Sequence, residues 1–226
     1  MHNIFLVPNW FLGYDIIFEI MFVLVTFMVA MFSFKVYGLT RQSKPRIFAI
    51  GFMFMSSGYL IQVILNSAFF FHIKNLAFSP QEASLVLTVY SISVYAYTYL
   101  MLIGLITLAY MSFNINKIKV HLLISLLVMM VLVSSTNKLL LFYIMSAVIS
   151  LFIVHHYLSN YIKNQKGTSL LVLLGFLGMM VAYVLFIFSL DSALFYFIGH
   201  AVKLFAYILI LINLIHILRK SKKHKG

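Results

Sequence analysis

Long apolar runs separated by brief polar breaks occupy the chain from one end to the other. The runs bounded by charge fall near 13–35, 47–71, 84–112, 120–135, 139–159, 168–190 and 194–218. A helix needs about 20 apolar residues to cross a bilayer core of about 30 Å, so this pattern predicts seven transmembrane helices, the fourth of them short. Pro8, Pro45 and Pro80 all lie outside the spans, which removes the commonest cause of a broken helix and predicts straight ones. The linking segments are no longer than about a dozen residues, too short for a soluble domain of their own. The expectation is therefore an all-α polytopic bundle forming a single domain over residues 1–226, with a basic tail at 219–226.

Composition supports a lipid environment. With 64% hydrophobic and 9% charged residues and a mean hydropathy of +1.07, the chain has too little polar surface to coat a water-soluble globule. The net charge of +12 does not point to nucleic acid, because the lysines fall between apolar runs or in the tail. It reads instead as orientation charge: an outside N-terminus and a cytoplasmic C-terminus collect 13 of the 16 basic residues on the inner side, as the positive-inside rule requires. The exceptions are Lys74, Lys138 and the intramembrane Lys203, while Asp15, Glu19, Glu82 and Asp191 lie in the outer half. The cell membrane is the expected location and the lipid bilayer the first partner. The absence of cysteine excludes disulfides and thiolate chemistry. The opening MHNIFLVPNWFLGYD lacks a positive leading region, so no removable signal peptide is expected; Trp10 belongs to an outer aromatic belt.

Candidate chemistry gathers on a few helix faces. At 100° per residue, Tyr196, His200, Lys203 and Tyr207 fall within an arc of about 60° on the last helix. The same face continues into Ile210 and Leu214, so the polar stripe predicts a blind pocket that opens outward. An ammonium inside a span is a functional-site hypothesis by default. Its expected partner is Glu19, which shares a face of the first helix with Asp15 at i+4; Asp15 would sit nearer water. The second helix adds Tyr59, Gln62 and Asn66 on one face. In the third, Tyr90, Tyr95, Tyr97 and Tyr99 are distributed around the helix, with Tyr90 and Tyr97 together, and Tyr183 joins them from the sixth. The ligand-binding set is thus Lys203, His200, Glu19, Asp15, Gln62, Asn66, Tyr97 and Tyr207.

Other chemistries fit less well. His155 and His156 are adjacent, so their rings diverge by about 100° and cannot share a metal on a regular helix; with His121 and His216 they read as headgroup-boundary residues. A retinal Schiff base on Lys203 lacks an acidic counterion in the third helix. No nucleophile–base signature is present, so neither an enzyme nor a bound cofactor is expected. The stretch FYFIGHAVKLFAYILILINLI, carrying Gly199, His200, Lys203 and Tyr207, resembles the last helix of membrane-associated sensor domains at the N-termini of bacterial kinases and diguanylate cyclases. That resemblance spans about 20 residues and implies a sensing role; because the basic tail carries no signalling domain, the output would come from a separate membrane signalling partner. The first functional expectation is accordingly a receptor-like or sensory module that binds a small-molecule ligand. Its rival is a proton-coupled transporter or permease, for which Gly58, Gly104, Gly175, Gly178 and Gly199 leave room to bend.

Overall fold

The computed structural model describes the backbone of residues 14–75, 80–113, 118–165, 167–189 and 193–223, and side chains throughout these stretches except at 69–87, 90, 164, 193 and 221–223. Trp10, Lys117, Lys166, Asp191 and the end of the tail fall outside the described residues, as do the side chains of Lys74, Glu82 and Tyr90.

Among the described residues all regular structure is helical: α1 (Tyr14–Thr40), α2 (Ser43–Asn75), α3 (Pro80–Ser112), α4 (Ile118–Ser134), α5 (Lys138–Asn164), α6 (Gly167–Phe188) and α7 (Ala193–Lys223). Helices are the expected answer to an apolar solvent, because each one satisfies its own backbone N–H and C=O groups. Six are long and apolar enough to cross a membrane, and α4 is a shorter apolar helix of 17 residues. The protein is therefore a multi-pass helical membrane bundle. Several helices outrun their apolar spans, α1 reaching Thr40 and α7 reaching Lys223. Charge ends an apolar run without ending the hydrogen-bond ladder. The ladder stops where the backbone turns left-handed: Arg41 at φ 57° and Gln165 at φ 48° donate back to Tyr37 and Tyr161 at 2.8 and 2.7 Å, the αL helix stop made without glycine. Pro45 and Pro80 occupy first turns, where a missing N–H removes no ladder bond.

The helices close a ring in the order α1, α2, α3, α5, α6, α7 and back to α1, and α4 packs outside it against α3 and α5. One seam holds α4 in place. Ser125, Val128 and Leu132 are its buried positions, and His121 Nε2, one turn earlier, is hydrogen-bonded to Thr107 Oγ1 of α3 at 3.0 Å; most of its remaining apolar side chains are exposed, as a lipid-facing helix requires. Within the ring, small residues set the helix spacing, which is the usual device where lipid is the competing solvent. A Cβ built on Gly104 would lie 2.8 Å from Gly51 O and 2.7 Å from Met55 Cγ, and one on Gly175 would lie 2.5 Å from Ile210 Cγ1. These glycines sit at close helix contacts.

The ring has two chemically distinct ends. Asp15 and Glu19 enter the bundle at one end through α1. At the other, Lys35 lies 5.4 Å over the ring of Phe32, and Arg46 5.9 Å over Tyr37, so that long cationic stems lie along apolar surface as they reach out of it. We call this second end, where α1, α3, α5 and α7 finish and α2 and α6 begin, the basic end.

Candidate functional site

The polar stripe of α7 faces the interior: Tyr196, His200, Lys203 and Tyr207 are all buried, and so are Ile210 and Leu214 below them. Lys203 is only 2% exposed, so it neither snorkels to an interface nor faces lipid. The first helix packs directly on the seventh and turns Asp15, Glu19, Phe22 and Thr26 inward. Both acids are buried, Asp15 4% and Glu19 1% exposed.

The expected Glu19–Lys203 ion pair is not formed. Glu19 Oε1 instead accepts a 2.6 Å hydrogen bond from Asn66 Nδ2 on α2, while Glu19 Oε2 is buried without a hydrogen-bond partner. Lys203 Nζ lies over four rings, 4.6 Å from the centroid of Tyr183, 5.2 Å from Tyr59, 5.4 Å from Phe186 and 5.8 Å from Phe22. Phe22, one turn beyond Glu19 on α1, presents its ring both to Lys203 and, at a centroid distance of 5.6 Å, to His200. A desolvated cation–ring contact contributes about 2 kcal/mol or more of attraction, which offsets part of the cost of burying the amine; among the described residues no carboxylate pairs with it.

His200 is held in an aromatic niche, with ring centroids 4.5 Å from Tyr196, 4.9 Å from Phe186 and 5.7 Å from Phe18. Below Lys203 the Tyr59 and Tyr207 hydroxyls are hydrogen-bonded at 3.0 Å, joining α2 to α7. Tyr183 brings a second buried hydroxyl close to Tyr207 and to Ser146 of α5, yet neither Tyr183 OH nor Ser146 Oγ has a partner in hydrogen-bond geometry. Tyr97 is buried at 6.1 Å from the Tyr59 ring. Asp15 Oδ1 accepts from Ile16 N at 2.9 Å.

The structure thus gathers Lys203, His200, Glu19, Asn66, Tyr97 and Tyr207 into one interior cluster, with Asp15 buried one turn above Glu19. Gln62 is half-buried on α2 and makes no side-chain hydrogen bond to the cluster among the described residues. Tyr95 turns away to meet Lys138 Nζ at 4.5 Å. Phe22 and Phe186 were not legible as site residues, because a phenylalanine in an apolar span carries no signal that distinguishes a cage wall from ordinary core.

A second polar region lies at the basic end. There the mouth of the ring holds a cavity of about 510 Å³ lined by side chains from all six ring helices, including Ser33, Lys44, His156, Asn160, Thr168, Ser169 and Asn213. His155 is exposed whereas His156 turns into this mouth, the divergence expected of neighbours on a helix. Asn213 and Ser33 are 3% and 1% exposed, so buried polar groups continue past the point where Ile210 and Leu214 seemed to end them. An apolar groove of about 530 Å³ between α1 and α7, flanked by Lys35 and Arg219, lies beside it. No family model, curated protein or solved structure matches the chain; geometry alone carries the functional reading.

Proposed function

We propose that this membrane protein is a receptor-like or sensory module whose interior cluster binds a small ligand entering from the acidic end, expected to be the outside face. One observation carries the reading: a buried amine and a buried carboxyl share the same core and leave each other unneutralised, Lys203 against rings and Glu19 with an orphan oxygen. A pair kept for stability would be closed, since an uncompensated buried group is strongly destabilising. Open valences of both kinds suit a ligand with an anionic or hydrogen-bonding head for Lys203, a donor for Glu19 Oε2, and an apolar body for the aromatic walls. The likeness of the last helix to bacterial sensor domains agrees with this role, in which ligand occupancy shifts helix packing for a membrane signalling partner to read.

The transporter reading gains from Ser33 and Asn213, which extend buried polarity toward the basic end. Native mass spectrometry and flux separate the two. A sensor retains a discrete small-molecule mass that Lys203→Met loses while its helical content is unchanged, and proteoliposomes loaded with it do not accumulate radiolabelled carboxylates or amino acids under an imposed proton gradient. Gradient-driven accumulation that disappears in Lys203→Met replaces the sensor with a permease. A wild-type protein that carries neither mass nor flux overturns both.

A further inference from the structure

We propose that the mouth of the ring at the basic end is a binding site for a phosphate-bearing anion. The argument starts from charge. Lys44 and His156 line this cavity and, among the described residues, no carboxylate does. Both ring helices that begin at this end contribute their first turns to its wall, α2 through Lys44 and α6 through Thr168 and Ser169. The first backbone N–H groups of a helix have no partner within it, and the aligned peptide dipoles leave partial positive charge there. Two such ends converging beside a lysine make a cradle for negative charge.

A helix end alone proves little, but the floor of the cavity adds an independent sign. Asn213 Oδ1 and Ser33 Oγ are buried and unpartnered, and both residues line the cavity. Orphaned polar atoms at that depth are rare in folded proteins and mark a missing partner. The serine hydroxyl and the asparagine amide supply donors to an oxygen-rich head, and the asparagine carbonyl accepts from a hydroxyl carried by it. The volume of about 510 Å³ lies inside the range of small-molecule sites, and the apolar flanks leave room for one apolar arm. A phosphorylated solute and an anionic phospholipid headgroup present the same chemistry to these residues.

Thermal unfolding of the purified full-length protein in a neutral detergent, at constant ionic strength, tests the assignment with two probes, inorganic phosphate and short-chain phosphatidylglycerol. Saturable stabilisation by both locates recognition in the phosphate itself; stabilisation by phosphatidylglycerol alone identifies a lipid headgroup. Either supports the site, provided that Lys44→Gln raises the half-saturating concentration about tenfold, the factor expected for one lost charge-assisted hydrogen bond. Ser169→Asp guards against a folding artefact, because an acid in the first turn of α6 complements the helix dipole while repelling the anion. It is expected to fold at least as well as the parent and to lose the response. Stabilisation that is absent for both probes, or equal in the parent and both variants, overturns the proposal.

Discussion

The interior cluster around Lys203 and the mouth at the basic end are both polar regions of one helical ring, yet they are built in opposite ways. The cluster is titratable and lined by rings: four lie around the amine, from Phe22 on α1 and Tyr59 on α2 to Tyr183 and Phe186 on α6. The polar groups of the mouth are mostly neutral amides and hydroxyls set among apolar side chains, with about 510 Å³ left open. The difference teaches that burial in this bundle does not by itself mark a site. What marks one is polar valence left over after packing, and the two regions keep theirs in different forms, a charge without a countercharge in the first and orphan dipoles beside empty space in the second.

Substitution at Lys203 is expected to break the comparison most strongly. Lys203→Met keeps the volume inside the cage and removes the charge, whereas Lys203→Ala removes the charge and leaves a hole among rigid rings. Because the electrostatic change is shared, the alanine variant should be less stable than the methionine variant by about 2–5 kcal/mol, the cost of a large cavity. Reversible unfolding in mixed micelles measures the gap. A difference below about 1 kcal/mol would mean that the rings collapse into the space, and that the cage is not rigid.

Next in size is the tie between α1 and α2. Asn66→Ala withdraws the one hydrogen bond that Glu19 accepts among the described residues, through Oε1, leaving both carboxyl oxygens buried without a donor. Leaving a buried carboxyl without its hydrogen-bond donor costs about 1–3 kcal/mol, and a loss of that order is expected in the same unfolding measurement. Glu19→Leu in the Asn66→Ala background should recover part of it, since removing both partners of a buried hydrogen bond costs less than orphaning one. Failure of that rescue would show that α1–α2 packing, and not the carboxyl, sets the loss. Tyr59→Phe follows with about 0.5–1.5 kcal/mol, the net worth of a neutral hydrogen bond, here the one to Tyr207. No change would mean that the Tyr207 hydroxyl has found another partner nearby, with Tyr183 the nearest candidate.

The two regions also differ in how far the chain alone exposes them. Apolar period and charge spacing reveal seven helices, and the i, i+4, i+7 placement of Tyr196, His200 and Lys203 reveals the buried face of α7, because a titratable residue in an apolar run stands out against its neighbours. The partner of Lys203 was not legible. Helical spacing places Glu19 at a suitable depth but says nothing about which α1 side chain meets the amine, since the outcome depends on how α1 rotates against α7. The mouth was less legible still. Its residues come from all six ring helices, and a serine, threonine or asparagine near a span end reads as ordinary interface polarity until the ring closes. Asn213 carried the nearest thing to a signal: an amide three residues beyond Ile210, in a stretch otherwise apolar. It falls beside the polar stripe instead of on it, which is why a search along one face passes over it.

The smallest expected effect is the most discriminating between the two kinds of site. Removing a hydroxyl that holds a hydrogen bond destabilises a fold, whereas removing one that holds none relieves a buried polar group of its desolvation cost. Thr26 and Ser33 lie on the same buried face of α1, and they differ on this point. Thr26 Oγ1 donates to Phe22 O at 2.6 Å, while Ser33 Oγ is buried and unpartnered. Thr26→Val should therefore lower stability by about 0.5–1.5 kcal/mol, and Ser33→Ala should leave it unchanged within about 0.5 kcal/mol or raise it slightly. In the presence of saturating phosphate or phosphatidylglycerol the order changes: Ser33→Ala should then fall behind the parent, because its hydroxyl has acquired a partner that the alanine lacks. A Ser33→Ala variant already destabilised without added anion would mean that the hydroxyl is satisfied from within the protein, and the mouth would lose one of the two orphan groups that distinguish it from a mere gap between helices.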